Sequence, residues 1–160
     1  MSLLFATAGT KIYIGGAKAF SDTDLTVSDF SGETWTEIGG TTDLGAVGDA
    51  SELITSNHIG SARARKLKGV RNAGAMEVVS DLDYADAGQL ALIAAEKTKN
   101  SYSFKVVLND APTGGAPSER YFVALVMNIG EQYSEANAVT KLNTTLEVDS
   151  NIVRVAAAEA

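Results

Sequence analysis

The feature that most constrains this chain is a period of two. "SYSFKVVLND" (101–110) puts Tyr102, Phe104, Val106 and Leu108 on one side and Lys105 on the other. "TKLNTTLEVDSNIVRV" (140–155) sets Leu142, Leu146 and Val148 against Asn143, Thr145, Glu147 and Asp149. Alternation of this kind is the signature of strands with one buried and one wet face. It recurs in "TKIYIGG" (10–16), where Ile12 and Ile14 alternate with Lys11 and Tyr13. In "ETWTEIGG" (33–40), Trp35 and Glu37 oppose Thr36 and Ile38. "TDLGAVG" (42–48) follows a Gly-Gly turn, and "GAMEVVSDL" (74–82) pairs Met76 with Val78. "ERYFVALVMNIG" (119–130) is apolar on both faces, which predicts a central strand covered on both sides. "NDAPTGGAPS" (109–118) carries both prolines and predicts a hairpin connection between two long strands.

One segment departs from this pattern. "SDLDYADAGQLALIAAEKTKN" spaces Leu90, Ile93, Ala94 and Lys97 as a helix would, predicting a helix over about 86–97. Asp83 and Asp86 suit its positive end, Lys97 and Lys99 its negative end, and Asn100 a left-handed exit. The expected fold is mainly β: a sandwich or barrel of about eight strands with one flanking helix and long loops. Two stretches, 17–32 and 49–73, take no element. At 160 residues the chain suits one domain over 1–160, with an N-terminal arm at about 1–9 and a C-terminal tail at about 154–160. A domain of this size buries roughly 70% of its unfolded surface and needs no staple.

The residue inventory excludes much chemistry. The chain has no cysteine, so disulfides, zinc-thiolate sites and thiol catalysis are ruled out. His58 is the single histidine, so the usual nucleophile–base pairs are not available and no enzyme is expected. The carboxylates of "SDLDYAD" (80–86) and "SDTD" (21–24) lack the spacing and closing Glu of a calcium loop, and capping is the plainer role for Asp83 and Asp86. No glycine cluster has the phosphate-loop pattern, and no cofactor is expected. The start has no basic region or long apolar run, which predicts a soluble protein made in a cytoplasm, with no membrane partner.

Charge is segregated. Formal net charge is −7, yet Arg63, Arg65, Lys66, Lys68 and Arg71 fall in one short run without a carboxylate. From Ala19 to Ala62 there are eight carboxylates and no Lys or Arg, Asp49 and Glu52 among them. The overall negative charge and the lack of interleaved aromatics argue against nucleic acid as the partner of the basic run. A protein with an acidic face is the better fit, and this chain has one. Acidic and basic surfaces on one molecule permit head-to-tail stacking, a heterologous contact.

"ETWTEIGGTTDLG", "NHIGSARARKLKG", "YADAGQLALIAA", "YSFKVVLND" and "NTTLEVDSNIV" occur in this order, and together they resemble the major tail tube proteins of long-tailed, siphovirus-type bacteriophages over about Lys11 to Val153. The resemblance implies a structural virion protein, not an enzyme. Copies would form hexameric rings that stack head to tail into a tail tube, assembled in the bacterial cytoplasm and used for genome delivery. Non-contractile tails are favoured over contractile ones. Implied partners are copies of the chain itself and the tape measure, tail terminator and distal tail proteins. DNA would pass through an acidic lumen without specific binding. The segment 49–73 becomes a long inter-ring loop, with Arg63, Arg65, Lys66, Lys68, Arg71, Asp49 and Glu52 as candidate contacts between subunits or rings. Leu90 and Ile93 of the helix would pack against the inner barrel. The alternative is a β-sandwich carbohydrate- or protein-binding module, which predicts exposed aromatic platforms. A single Trp35 and five tyrosines offer few.

Overall fold

The computed structural model describes residues 4–159. The first three residues of the expected N-terminal arm, and Ala160 in the expected tail, lie outside the described residues. In chain order the elements are β1 (Lys11–Ala17), a 3-10 turn (Val27–Phe30), β2 (Thr36–Glu37), β3 (Thr41–Asp43), β4 (Ala50–Ser56), β5 (Arg65–Asn72), β6 (Ala75–Asp81), α1 (Ala87–Glu96), β7 (Tyr102–Val107), β8 (Glu119–Gln132), β9 (Lys141–Val148) and β10 (Val153–Val155). Among the described residues, eight strands form one antiparallel sheet in the order β2-β1-β7-β8-β9-β6-β3, with β10 added on β8, while β4 and β5 pair only with each other. The mainly β fold with one helix stands as expected. The segment 140–155 divides into two strands, because the chain leaves β9 at Asp149–Ile152 and returns to pair with the other end of β8.

The two-residue period built the core. Ile12 and Ile14 of β1, Phe104 and Val106 of β7, Met76 and Val78 of β6, and Leu146 and Val148 of β9 all enter one buried cluster. Strands from both ends of the sheet meet there, so the sheet curls around a single core. Gly45 lets the strand-like segment after β3 lie against β6. Its φ is +62°, and a Cβ there would sit 2.7 Å from the Glu77 carbonyl oxygen.

β8 is covered on both faces over Tyr121–Ala124, as its apolar run requires. Phe122 and Ala124 enter the main core, and Tyr121 and Val123 enter a second cluster with Phe30 and Val153. The cover on that second face is the polar stretch 17–32, which the sequence left unassigned. Its 3-10 turn stacks Phe30 on Tyr121 at 5.2 Å between ring centroids, with Trp35 at 5.8 Å. A capping box closes the turn: Asp29 accepts from the Thr26 amide at 2.7 Å.

The helix sits where expected, but its buried face does not. Gly88, Gln89, Leu92 and Ala95 face the sheet, while Leu90 is half exposed and Ala94 is exposed. The expectation that Leu90 and Ile93 pack inward is therefore corrected: Leu90 points outward and Ile93 is only partly covered. The rotation follows from Gly88, where a Cβ would overlap the Glu37 carbonyl oxygen. That close approach turns the small-residue side of the helix to the sheet. Asp86 is the N-cap, accepting from the Gln89 amide at 2.9 Å and from the Gly39 amide at 3.1 Å. Gln89, fully buried, donates to the carbonyls of Gly39 (3.0 Å) and Asp81 (2.8 Å) and accepts from the Asp83 amide (2.9 Å). Asn100 does not take the left-handed exit. Among described non-glycine residues only Ser134 has positive φ, and the helix ends with Thr98 bonding back to Ala95.

The connection between β7 and β8 is the expected hairpin. Asp110 closes it, accepting from the amide (2.8 Å) and hydroxyl of Ser118, which hold its carboxyl below the usual range. The C-terminal segment is docked rather than free. β10 pairs with β8, and Ala158 exchanges backbone hydrogen bonds with Ala116.

Two outcomes check this packing. Leu92→Ala should cost about 3 kcal/mol in urea unfolding, since it opens a cavity in the core, whereas Leu90→Ala should cost under about 1 kcal/mol. The Tyr121 phenol is pushed up to about 12, first by burial and then by its hydrogen bond to Glu119. Its neutral form supports the fold fully below an unfolded pKa of about 10, and that support is lost as pH rises through the folded value. The wild type should therefore lose stability more steeply between those limits than Tyr121→Phe; equal slopes would exclude this origin.

Candidate functional site

The segment 49–73, expected as a long loop, is a β-hairpin. β4 and β5 pair from Ala50↔Asn72 to Ser56↔Arg65, with a bulge between Ser51 and Leu53. Every residue of the two strands is exposed except Gly69. Such a ribbon buries almost nothing on the body of its own molecule. A two-stranded hairpin alone in water is marginal and calls for a partner.

Pairing sorts its side chains. Ile54 lies opposite Leu67, and its side chain reaches over Gly69, so these share a face with Arg65. Leu53 lies opposite Lys68, and Thr55 opposite Lys66, on the other face. Both faces therefore combine aliphatic groups with cations. Leu67 is 67% exposed and Val70 74%, and Ile59 at the tip is fully exposed. Apolar groups gathered on a projecting ribbon mark an interaction surface.

The candidate contact residues take different positions. Arg71 is spoken for within the chain: it binds Asp49 at 2.7 Å and lies 3.7 Å from Asp24, at the base of the ribbon. Among the described residues, the side chains of Arg63, Arg65, Lys66 and Lys68 make no ion pair. Glu52 is on β4 near the bulge. The structure thus brings Arg65, Lys66 and Lys68 together on β5, places Arg63 just before it, and separates Asp49 and Arg71 from them as an internal pair. Sequence reasoning missed the aliphatic half of the ribbon: Leu53, Ile54, Ile59, Leu67 and Val70. The signal was present in "SELITS" facing "RKLKGV" across "NHIGSA", but charge on both faces of the second strand hid the alternation.

A second unpartnered surface is the edge of β8. β7 pairs with it only from Glu119 to Ala124. β9 pairs with its other edge from Ala124 to Gln132. From Leu125 onward the edge facing away from β9 has no partner strand among the described residues. An open edge of this length is a template for another chain.

Small-molecule chemistry finds little purchase. Among the described residues no group of three or more His, Cys, Asp or Glu could hold a metal. His58 lies at the exposed hairpin tip, in an open cleft of ≈ 280 Å³ with Ile54, Arg65 and Leu67. Asp83 and Asp86 serve the helix start, Asp83 accepting from the Ala85 amide at 3.0 Å. Among the described residues no helix is long and apolar enough to cross a membrane.

No family model and no curated protein sequence matches the chain. Solved structures do match it in fold. It is similar to a chain of the anti-feeding prophage baseplate, with TM-score 0.67 and 11% identity over 98% of each chain. It is similar to the SPP1 tail tube protein, with TM-score 0.62 and 14% identity over 92% of this chain and 76% of that one. A chain of the sheath/tube terminator of the PVC extracellular contractile injection system gives TM-score 0.69 and 9% identity, over 97% of this chain and 99% of that one. The fold is therefore tail tube-like: an eight-stranded antiparallel sheet with a small second sheet and one helix.

The hairpin should behave as an unfinished surface in dilute monomer. Its amides are expected to exchange with solvent orders of magnitude faster than those of β8 and β9, and to gain protection only when copies associate. Core-like protection in the monomer would show that the ribbon is already covered.

Proposed function

We propose that this protein is a structural tube subunit of a phage tail or a tail-like injection machine, and that it has no enzymatic role. Copies associate as hexameric rings, and rings stack head to tail around a lumen. The observation that carries this reading is the projecting β4–β5 hairpin. A well-satisfied body presents a bare ribbon of aliphatic groups and four cations that are without an ion pair among the described residues, which suits a protein surface and not a small ligand. The open β8 edge supports the same reading, since a neighbour in the ring can complete it. The tail tube-like fold supports it further.

Arg63, Arg65, Lys66 and Lys68 are the hairpin groups assigned to contact the next ring, with Glu52 beside them; Arg71 and Asp49 hold the ribbon's base. The other face of β6, β9 and β8 is polar, with Glu77, Asn143, Thr145 and Glu147 along it, and it is the face suited to a lumen. Its Lys141 is bound to Asp81. A lumen of this character lets DNA slide without specific binding. Tape measure, terminator and distal tail proteins are the expected partners, and a virion tail the expected location, with the sequence resemblance favouring a non-contractile tail. A carbohydrate- or protein-binding module draws less support. Trp35 packs beside Tyr121 under the Lys105 ammonium, and the exposed Phe20, Tyr84 and Tyr133 lie on three separate segments.

Negative-stain electron microscopy of the purified protein at low salt is expected to show rings or hollow rods, and Arg65→Glu with Lys66→Glu to abolish them. High salt should weaken the wild-type polymer by screening the same contacts. A monomer at every concentration and salt would overturn the reading.

A further inference from the structure

The acidic stretch from Asp22 to Glu52 is the obvious acceptor for the basic hairpin, but the fold puts part of it at the wrong end. Asp24 and Asp49 flank the hairpin's own base, where they bind Arg71. With Asp22, Val70 and Asp149 they line a cleft of ≈ 350 Å³ there. That end of the sheet is fixed by Gly74, which joins the hairpin to β6 and accepts from the Val148 amide at 2.9 Å.

β6 then runs seven residues to the opposite end, roughly 20 Å at strand rise. There Asp81 lies opposite Lys141, which lies opposite Gln132, and residues 133–140 form the turn between β8 and β9. This turn has the chemistry the hairpin lacks. Glu131 and Glu135 are exposed beside the exposed side chains of Tyr133 and Val139. The nearest cation, Lys141, is bound to Asp81. The turn is ordered: Ser134 sits at φ 57° and accepts from the Gln132 side chain at 3.1 Å, and the Tyr133 hydroxyl donates to Glu131 at 2.5 Å. The Leu82 amide bonds the Thr140 carbonyl, which brings Asp83 and the exposed Tyr84 alongside.

We infer that the β8–β9 turn of one copy, with the adjoining Asp83–Tyr84 segment, is the docking surface for the β4–β5 hairpin of the next copy. This rests on the head-to-tail reading above and names its acceptor. The two surfaces lie at opposite ends of one sheet, one apolar and basic, the other apolar and acidic. A second copy translated along the strands brings them together, and the contact repeats without closing on itself. Charge complementarity sets the register, and Leu53, on the Lys66–Lys68 face, or Ile59 at the tip, against Tyr133 or Val139 supplies buried apolar area.

The test is a charge swap read by sedimentation and electron microscopy at low salt. Glu131→Lys with Glu135→Lys, and separately Lys66→Glu with Lys68→Glu, should each raise the critical concentration for stacking at least about tenfold. The chain carrying all four changes should recover most of the loss. Loss with the hairpin variant but not the turn variant would overturn this acceptor and leave head-to-tail stacking standing. No effect from either would overturn both. Failure of the fourfold variant to recover would exclude direct pairing. Because the chain has no cysteine, Leu53→Cys with Val139→Cys gives an independent readout: mild oxidation should yield a ladder of linked copies. Leu53→Cys with Val27→Cys should yield none. A ladder from the second pair alone would also refute the assignment.

Discussion

The fold depends on β8. Its first six residues pair with β7 on one side and meet β10, the Asp149–Ser150 link and the end of β9 on the other, and Tyr121–Ala124 have apolar cover on both faces. Buried backbone amides and carbonyls must be paired, and here they are paired by three different strands. Among the described residues, the last eight pair with β9 alone. One strand thus serves as the centre of the core at one end and as the sheet's open edge at the other. That difference comes from length alone: β8 has 14 residues and β7 has six.

The helix is held against this sheet by polar groups as much as by apolar ones. Gln89 joins the helix to the Gly39 turn and to the end of β6, and Asp86 caps the helix while binding the same turn. A buried amide side chain with its donors and acceptor engaged can be made in one geometry only, so the pair fixes the helix's rotation as well as its place. Leu90 is turned outward as a result. It is available to a neighbour, whereas Leu92 is not.

The sequence spoke clearly where one residue pattern had one cause. Alternation placed β1 and β6 within a residue at each end, and the starts of β7 and β9, because each has a single dry face; β7 and β9 end earlier than the pattern, at Val107 and Val148. The doubly apolar run of β8 predicted cover on both sides, though nothing local showed that the polar stretch 17–32 would supply it. That depends on Phe30 finding Tyr121, far apart in sequence. The helix was legible but its face was not, because Gly88 and Gln89 bury themselves for reasons lying in Glu37, Gly39 and Asp81. The basic run was legible as an unsatisfied surface. Its strand character was masked, since cations on both faces break the usual alternation, and the split between free and internally paired cations needed Asp24 and Asp49 in space.

The join between hairpin and body has a mechanical consequence. β5 passes into β6 through two residues, with the Gly74 amide bonded to the Asn72 side chain at 2.9 Å. A pull on the hairpin is therefore delivered along the axis of β6. β6 is laced to β9 over all seven residues, and its hydrogen bonds lie across the direction of pull. They are loaded together in shear, not opened one after another as in a peeled strand. A molecule joined to its neighbours through this ribbon therefore resists extension through a whole ladder of bonds loaded at once.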